Sequence, residues 1–368
     1  MGTTNNLAWN NNPHPPTFPL NFSKDASTFN IAAVPCFVEG TRILTARGEV
    51  AVEDLVEGDE AVLAGGGART VIWIGDRRVR AASHPRPAEV NPVRVCAGAF
   101  GEGAPRRDLR LSPGHAVWMD GVLIPVGRLV NGATIVQEQV ETVRYFHVEL
   151  DAHDVLLAEG LACESYLDDG NREIFANSPE HVALFGPLDP LDREHACAPV
   201  VENGPALEAA RAVLLGLAGR LGWTLGHEPD LALSIDGRSV SPAHAAEGRI
   251  WLVAPAGAGE LVLTSQAGRP AEVSPAGADP RRLGVAVAEV RVDGRPLDLA
   301  DPAFGRGFHG LERLGEAAWR WTDGEARIDL TAAVGSAGPA MVEIAISMTA
   351  EHWVRRPVPS ALRLVAAG

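Results

Sequence analysis

Cys36-Phe37-Val38-Glu39-Gly40-Thr41-Arg42-Ile43-Leu44-Thr45 is the stretch on which the fold of this chain turns. Its alternation of apolar and polar residues broken by Glu39-Gly40 predicts two short strands with a tight turn between them. Gly48-Glu49-Val50-Ala51-Val52-Glu53-Asp54-Leu55-Val56-Glu57-Gly58-Asp59 follows and reads as strand, short helical turn and Gly-Asp corner. Farther on come Ser112-Pro113-Gly114-His115 and the segment Phe146 to Gly160, which contains His153. Between and beyond them the turn signals are dense. Asp120-Gly121 parts Ala116–Met119 from Val122–Pro125, a hairpin signal, and Asn131-Gly132 parts Arg128–Val130 from Ala133–Val136 in the same manner. Tyr145–Leu150 and Asp154–Ala158 read as strands around a corner at Asp151-Ala152-His153. No long stretch of helical period appears before residue 203, so the first half is a hairpin-rich β domain.

The 368 residues exceed what one small core organises, and two domains are expected. Apolar residues make up 46% of the chain, enough to fill both cores. A net charge of −15 excludes a nucleic-acid partner, which calls for a basic face. Four scattered cysteines, Cys36, Cys96, Cys163 and Cys197, form no Cys-x-x-Cys pair, so neither structural zinc nor a disulfide framework is expected. No phosphate loop or other cofactor motif is present, and no cofactor or metal is expected. No run approaches the roughly 18 apolar residues of a membrane span. Residues 1–34 have the Asn- and Pro-rich character of a flexible leader and lack the basic and apolar regions of an ordinary secretory signal. The compartment stays open.

A cysteine that opens a β domain, with the Gly-x-x-x-Val-x-Glu-x-Leu-x-x-Gly-Asp stretch behind it and an S/T-x-x-H element at a distance, resembles the Hint (hedgehog/intein) self-processing domains, in particular the bacterial hedgehog/intein-like family. The resemblance covers residues 36 to 166 and implies a mostly β architecture. A horseshoe-like Hint domain is expected over residues 35–170, then a linker over 171–199. A second, β-sandwich-like domain over 200–368 begins with a helix capped by Asn203 and running to Gly222. In that half Asp236-Gly237, Asp293-Gly294 and Asp323-Gly324 punctuate apolar segments such as Gly284–Val292 and Val342–Met348.

The chemistry implied is an attack of the chain on itself. A thiol is intrinsically nucleophilic and partly ionised at neutral pH. Cys36 can therefore attack the carbonyl of Pro35 and exchange the peptide bond for a thioester, helped by proximity because the groups are already linked. His115 is the candidate that protonates the departing nitrogen of Cys36. Ser112 stands where the family more often has threonine, and its hydroxyl can hold the scissile amide out of its relaxed geometry. His153, before an apolar strand and a glycine, matches a histidine of the family's last block and is either a proton-transfer group or a corner residue. His147 reads as a strand residue. The plain alternative is that Cys36 is a small apolar core residue and His115 a turn residue.

Inteins end that last block with His-Asn, whose asparagine cyclises and releases the downstream segment. Here Glu164-Ser165 stand in those places, and neither cyclises as asparagine does. Asn177-Ser178 lies too late and follows Ala176 instead of histidine. The expectation is one-sided cleavage before Cys36 without splicing: the substrate is the chain's own N-terminal segment, and water or another small nucleophile resolves the thioester. In animal hedgehogs an acidic residue activates a sterol for that step; Glu102 and Asp108 are the nearest acids here, and both also read as surface charges. The competing reading is an inactive Hint scaffold that serves as a structural or binding module of a secreted or surface protein. Trp223, Trp251, Trp319, Trp321 and Trp353 read as core residues of the second half, with a carbohydrate-binding face as the alternative.

Overall fold

The computed structural model describes residues 34–185, 195–335 and 337–356. The expected leader, up to residue 33, lies outside the described residues, as does part of the expected linker. The structure is mostly β. The first half is one continuous 13-stranded sheet whose hydrogen-bonded path runs far from chain order. Phe37–Val38 lies between Leu109–Leu111 and Val143–Leu150, and Val143–Leu150 in turn lies against the long strand Ala68–Val79. At the other end of the path Val155–Ala158, Leu161–Glu164 and the hairpin Ala116–Met119/Val122–Pro125 follow one another.

The turns show why the sequence folds this way. Asp120 and Gly121 both take positive φ, 50° and 86°, the twist that a two-residue hairpin requires, and Met119 pairs with Val122 across them. Gly48–Ala51, the 3-10 turn Val52–Asp54 and the positive φ of 93° at Gly58 reproduce the expected strand, turn and corner. The Asn131-Gly132 hairpin does not form. The Asn131 side-chain oxygen accepts from the backbone N–H groups of Ala133, Thr134 and Ile135. It thus winds the chain into a loop, and Ile135–Gln137 pairs instead with Val93–Val95. An asparagine side chain that satisfies three amides removes the need for a cross-strand partner there.

Beyond residue 200 a helix, Pro205–Arg220, begins after Gly204 and not Asn203, with no side-chain cap; Pro205 at its first turn has no N–H to satisfy. Its Leu207, Ala210, Leu214 and Leu217 are buried in the same cluster as Phe37, Ile43, Leu111 and Leu156 of the first half. Just before it, Pro199 accepts a hydrogen bond from Leu123 N–H, and Val201 N–H donates to Leu123 carbonyl, so the incoming chain is strapped along the Ala116–Pro125 hairpin. A four-stranded sheet around Glu260–Thr264 and a seven-stranded sheet around Ala340–Thr349 follow. Their inner faces meet in one cluster containing Leu233, Leu261 and Ile328 from the first and Leu252, Val290 and Ile344 from the second, which is sandwich packing. The tryptophans expected in that core are not there. Trp223, Trp251, Trp319, Trp321 and Trp353 are all half-buried, because aliphatic side chains already fill the space between the sheets; Trp353 donates its indole N–H to Asn131 carbonyl.

Candidate active site

Register builds the site. Phe37 stands opposite Phe146 on one side and opposite Leu111 on the other, and Val38 opposite Tyr145. Antiparallel pairing carried back one residue puts Cys36 between His147 and Ser112, since directly opposed side chains in such pairs share a face. The hydrogen bonds agree. The Cys36 N–H donates to Ser112 Oγ at 2.8 Å, and that hydroxyl donates onward to Val34 carbonyl at 2.8 Å. Ser112 N–H donates to Cys36 carbonyl at 3.0 Å. One hydroxyl thus bridges the peptide units on either side of Pro35.

On the opposite side Cys36 Sγ lies 3.5 Å from His147 Nε2. The His147 ring is held by Tyr166 and Phe175, each with its ring centre 4.5 Å away. Space for them comes from Gly75, the cross-strand partner of His147. A Cβ there would lie 2.5 Å from the Trp73 ring and 2.9 Å from Phe175. His147 was not singled out by its sequence context. The signal lay in the pairing of Val143–Leu150 with Phe37–Val38, which no local pattern reveals.

His115 closes a turn after Ser112, its N–H donating to Ser112 carbonyl at 3.0 Å. Its ring packs on Phe37 with centres 4.3 Å apart, and both ring nitrogens are buried without a hydrogen-bond partner. Burial, only partly opposed by the backbone at Cys36 and Glu164, lowers its pKa to about 3. His147 is held neutral too, by burial and then by the neighbouring guanidinium charges of Arg77 and Arg172. Burial pushes the Cys36 thiol up to about 12, against the opposing effects of the Arg77 guanidinium and Ser112. The resting site therefore holds a protonated thiol and neutral imidazoles.

His153 sits apart. Its Nδ1 accepts from Cys197 N–H at 3.0 Å, and its Nε2 lies 3.8 Å from a Glu164 carboxylate oxygen. Glu164 accepts from Ala116 N–H at 2.6 Å, and Ser165 Oγ accepts from Asp154 N–H at 3.0 Å. Both are buried and anchor strand ends. Asn177 is occupied by the Ala68–Val79 strand, accepting from Asp76 N–H and donating to Ile74 carbonyl. Glu102 is exposed, and Asp108 accepts from Ala97 N–H and pairs with Arg94. Among the described residues no cluster of His, Cys, Asp and Glu converges to hold a metal.

Cys36 is thus pinned at the head of the first β domain, its amide held by the Ser112-x-x-His115 element. The family model of the Hint domain matches residues 35–170. Similar solved structures include a bacterial intein-like domain from Clostridium thermocellum, at 17% identity over 35% of this chain and 98% of that one, with a TM-score of 0.27. The MchDnaB-1 intein is 19% identical over 35% of this chain and 99% of its own, also with a TM-score of 0.27. A DnaB intein from Synechocystis sp. PCC 6803 is 11% identical over 36% and 99%, with a TM-score of 0.26. No curated protein matches the chain.

Proposed function

We propose that the chain cleaves itself before Cys36. The Cys36 sulfur attacks the Pro35 carbonyl, the C–N bond breaks, and a thioester replaces the peptide bond until water or another small nucleophile takes the acyl group. The observation that carries this reading is the Ser112 hydroxyl, which accepts from the Cys36 N–H and donates to Val34 carbonyl. It holds the amide on the departing side and fixes the chain on the acyl side, and fixing of this kind lets proximity accelerate a reaction. His115, packed on Phe37 beside that amide, serves the departing nitrogen. The ring is neutral at rest, so the proton it delivers is one released within the site during the attack. His153, which touches Glu164 and the Cys197 backbone, supports the His115 side of the site.

Cleavage is one-sided in this proposal. Glu164, Ser165 and Asn177 spend their side chains on backbone groups, and none offers a free amide to cyclise. The second reading, a Hint scaffold without activity, has the deeply buried and protonated thiol in its favour.

Dithiothreitol separates the two. An external thiol exchanges with a thioester far faster than it attacks an amide, so incubation near neutral pH should release residues 1–35 and leave a chain beginning at Cys36. Cys36→Ala should release nothing, and Cys36→Ser should be strongly slowed, because a hydroxyl is barely ionised. Intact mass reads the result. Wild-type protein that stays at full mass through prolonged treatment gives the scaffold reading its place, and a product joining residues 1–35 to a segment beyond Ser165 overturns the one-sided mechanism.

A further inference from the structure

The acyl shift begins with a proton that must leave the Cys36 sulfur. A thiol raised to about 12 by burial carries its hydrogen at neutral pH, and Cys36 is 2% exposed, so bulk water is not at hand to take it. The Ser112 hydroxyl is engaged on both sides, accepting from Cys36 N–H and donating to Val34 carbonyl. The His115 ring lies on Phe37. Among the described residues one basic nitrogen is in hydrogen-bond reach of the sulfur, His147 Nε2 at 3.5 Å.

We infer that His147 is the general base of the acyl shift, a catalytic residue on the sulfur side of Cys36 and distinct from His115 on the nitrogen side. As the S–C bond to Pro35 forms, the S–H proton passes to His147 Nε2. As the C–N bond breaks, the nitrogen receives a proton through His115, and the proton held on His147 makes up the loss. The net change is S–H to N–H, with no outside acid or base. The groups that face this exchange are few. Arg77 favours a thiolate at Cys36, and burial, ahead of Arg77 and Arg172, keeps His147 uncharged at rest, which leaves one of its ring nitrogens without a proton. Tyr166 and Phe175 fix its ring from the other side.

This inference rests on Cys36 acting as nucleophile, and a packing role for the ring is the rival. His147→Phe keeps the aromatic stack and removes the base; His147→Gln keeps a polar group without a useful pKa. Release of residues 1–35 is measured under saturating dithiothreitol, where the acyl shift limits the rate, across a pH series. A base already neutral gives the wild type a flat profile from neutral pH upward. Both variants should be slower near neutral pH by about 10²- to 10⁴-fold and should gain about tenfold per pH unit, as the thiol itself must ionise. Folded variants with the rate and flat profile of the wild type overturn the inference. Thiolate absorbance in the far ultraviolet, taken against Cys36→Ala, keeps the test independent of cleavage. Loss of His147 should move Cys36 ionisation even if the wild type never cleaves, because the hydrogen bond between the thiol and the ring is gone, a result that would sink the cleavage reading and leave the pairing standing. An unmoved ionisation in both variants sinks the pairing.

Discussion

The two halves of the chain are both β-built, yet they bury different things. In the first half Ser112, His115, His147, Glu159, Glu164, Ser165, Asp168 and Arg172 are buried among the apolar residues; among the described residues beyond 200 the buried polar ones are Ser265, Thr322 and His352. Buried polar groups cost free energy unless they are bonded, and each half carries some that are not: the His115 ring nitrogens in the first, Ser265 Oγ and Trp319 Nε1 in the second. The sandwich core, by contrast, is closed by aliphatic contacts such as Leu261, Val287 and Ile344. The difference is one of number: the first half buries more polar side chains than the second, and its interior is the costlier to build.

The comparison can be broken at several points. His115→Ala should slow thiol-induced release by about 10²- to 10⁴-fold while leaving the sandwich unfolding transition where it was; release at the wild-type rate would remove His115 from the chemistry. Ser112→Ala leaves Cys36 N–H and Val34 carbonyl buried without partners, so the first half should lose about 1–3 kcal/mol in denaturant unfolding. Release should slow about tenfold, equivalent to about 1.4 kcal/mol at the transition state. Leu261→Ala, in the sandwich, should cost about 2–5 kcal/mol of stability and leave the release rate per folded molecule unchanged. A fall in that rate would show that the halves share more than packing.

Acid supplies a subtler probe. The pKa values of His115, His147 and His153 all lie below the ordinary 6.5, each chiefly through burial. The unfolded chain therefore binds protons that the native rings refuse. The stability these rings contribute is fully present above pH 6.5 and is lost as pH falls below it, toward about 3 for His115. Each ring accounts for up to about 1.4 kcal/mol per pH unit in that window. Thermal unfolding followed downward from neutral pH should show the first half weakening before the second; parallel decline of both transitions would assign the acid sensitivity elsewhere.

Much of this was legible in the sequence, and the rest was not for identifiable reasons. The opening at Cys36, the Gly58-Asp59 corner, the Asp120-Gly121 hairpin and the Ser112/His115 spacing are local patterns, and local patterns survive reading one residue at a time. His147 escaped because its role depends on which strand lies beside it, a partner 111 positions away that periodicity does not encode. Asn131 misled because a side chain replaced the cross-strand bonds that its turn signal promised. The five tryptophans misled because size suggested a core role that smaller aliphatic residues fill.

The strap between Pro199–Val201 and Leu123 has a mechanical consequence. That segment is the chain's route from the Hint half to the sandwich, and it lies along the hairpin that begins one residue after His115. Tension drawn from the sandwich meets the helix Pro205–Arg220, packed in the core of the first half, before it reaches the two Leu123 hydrogen bonds. The strap is thus sheltered behind that packing, and the hairpin next to His115 keeps its place for as long as the helix holds.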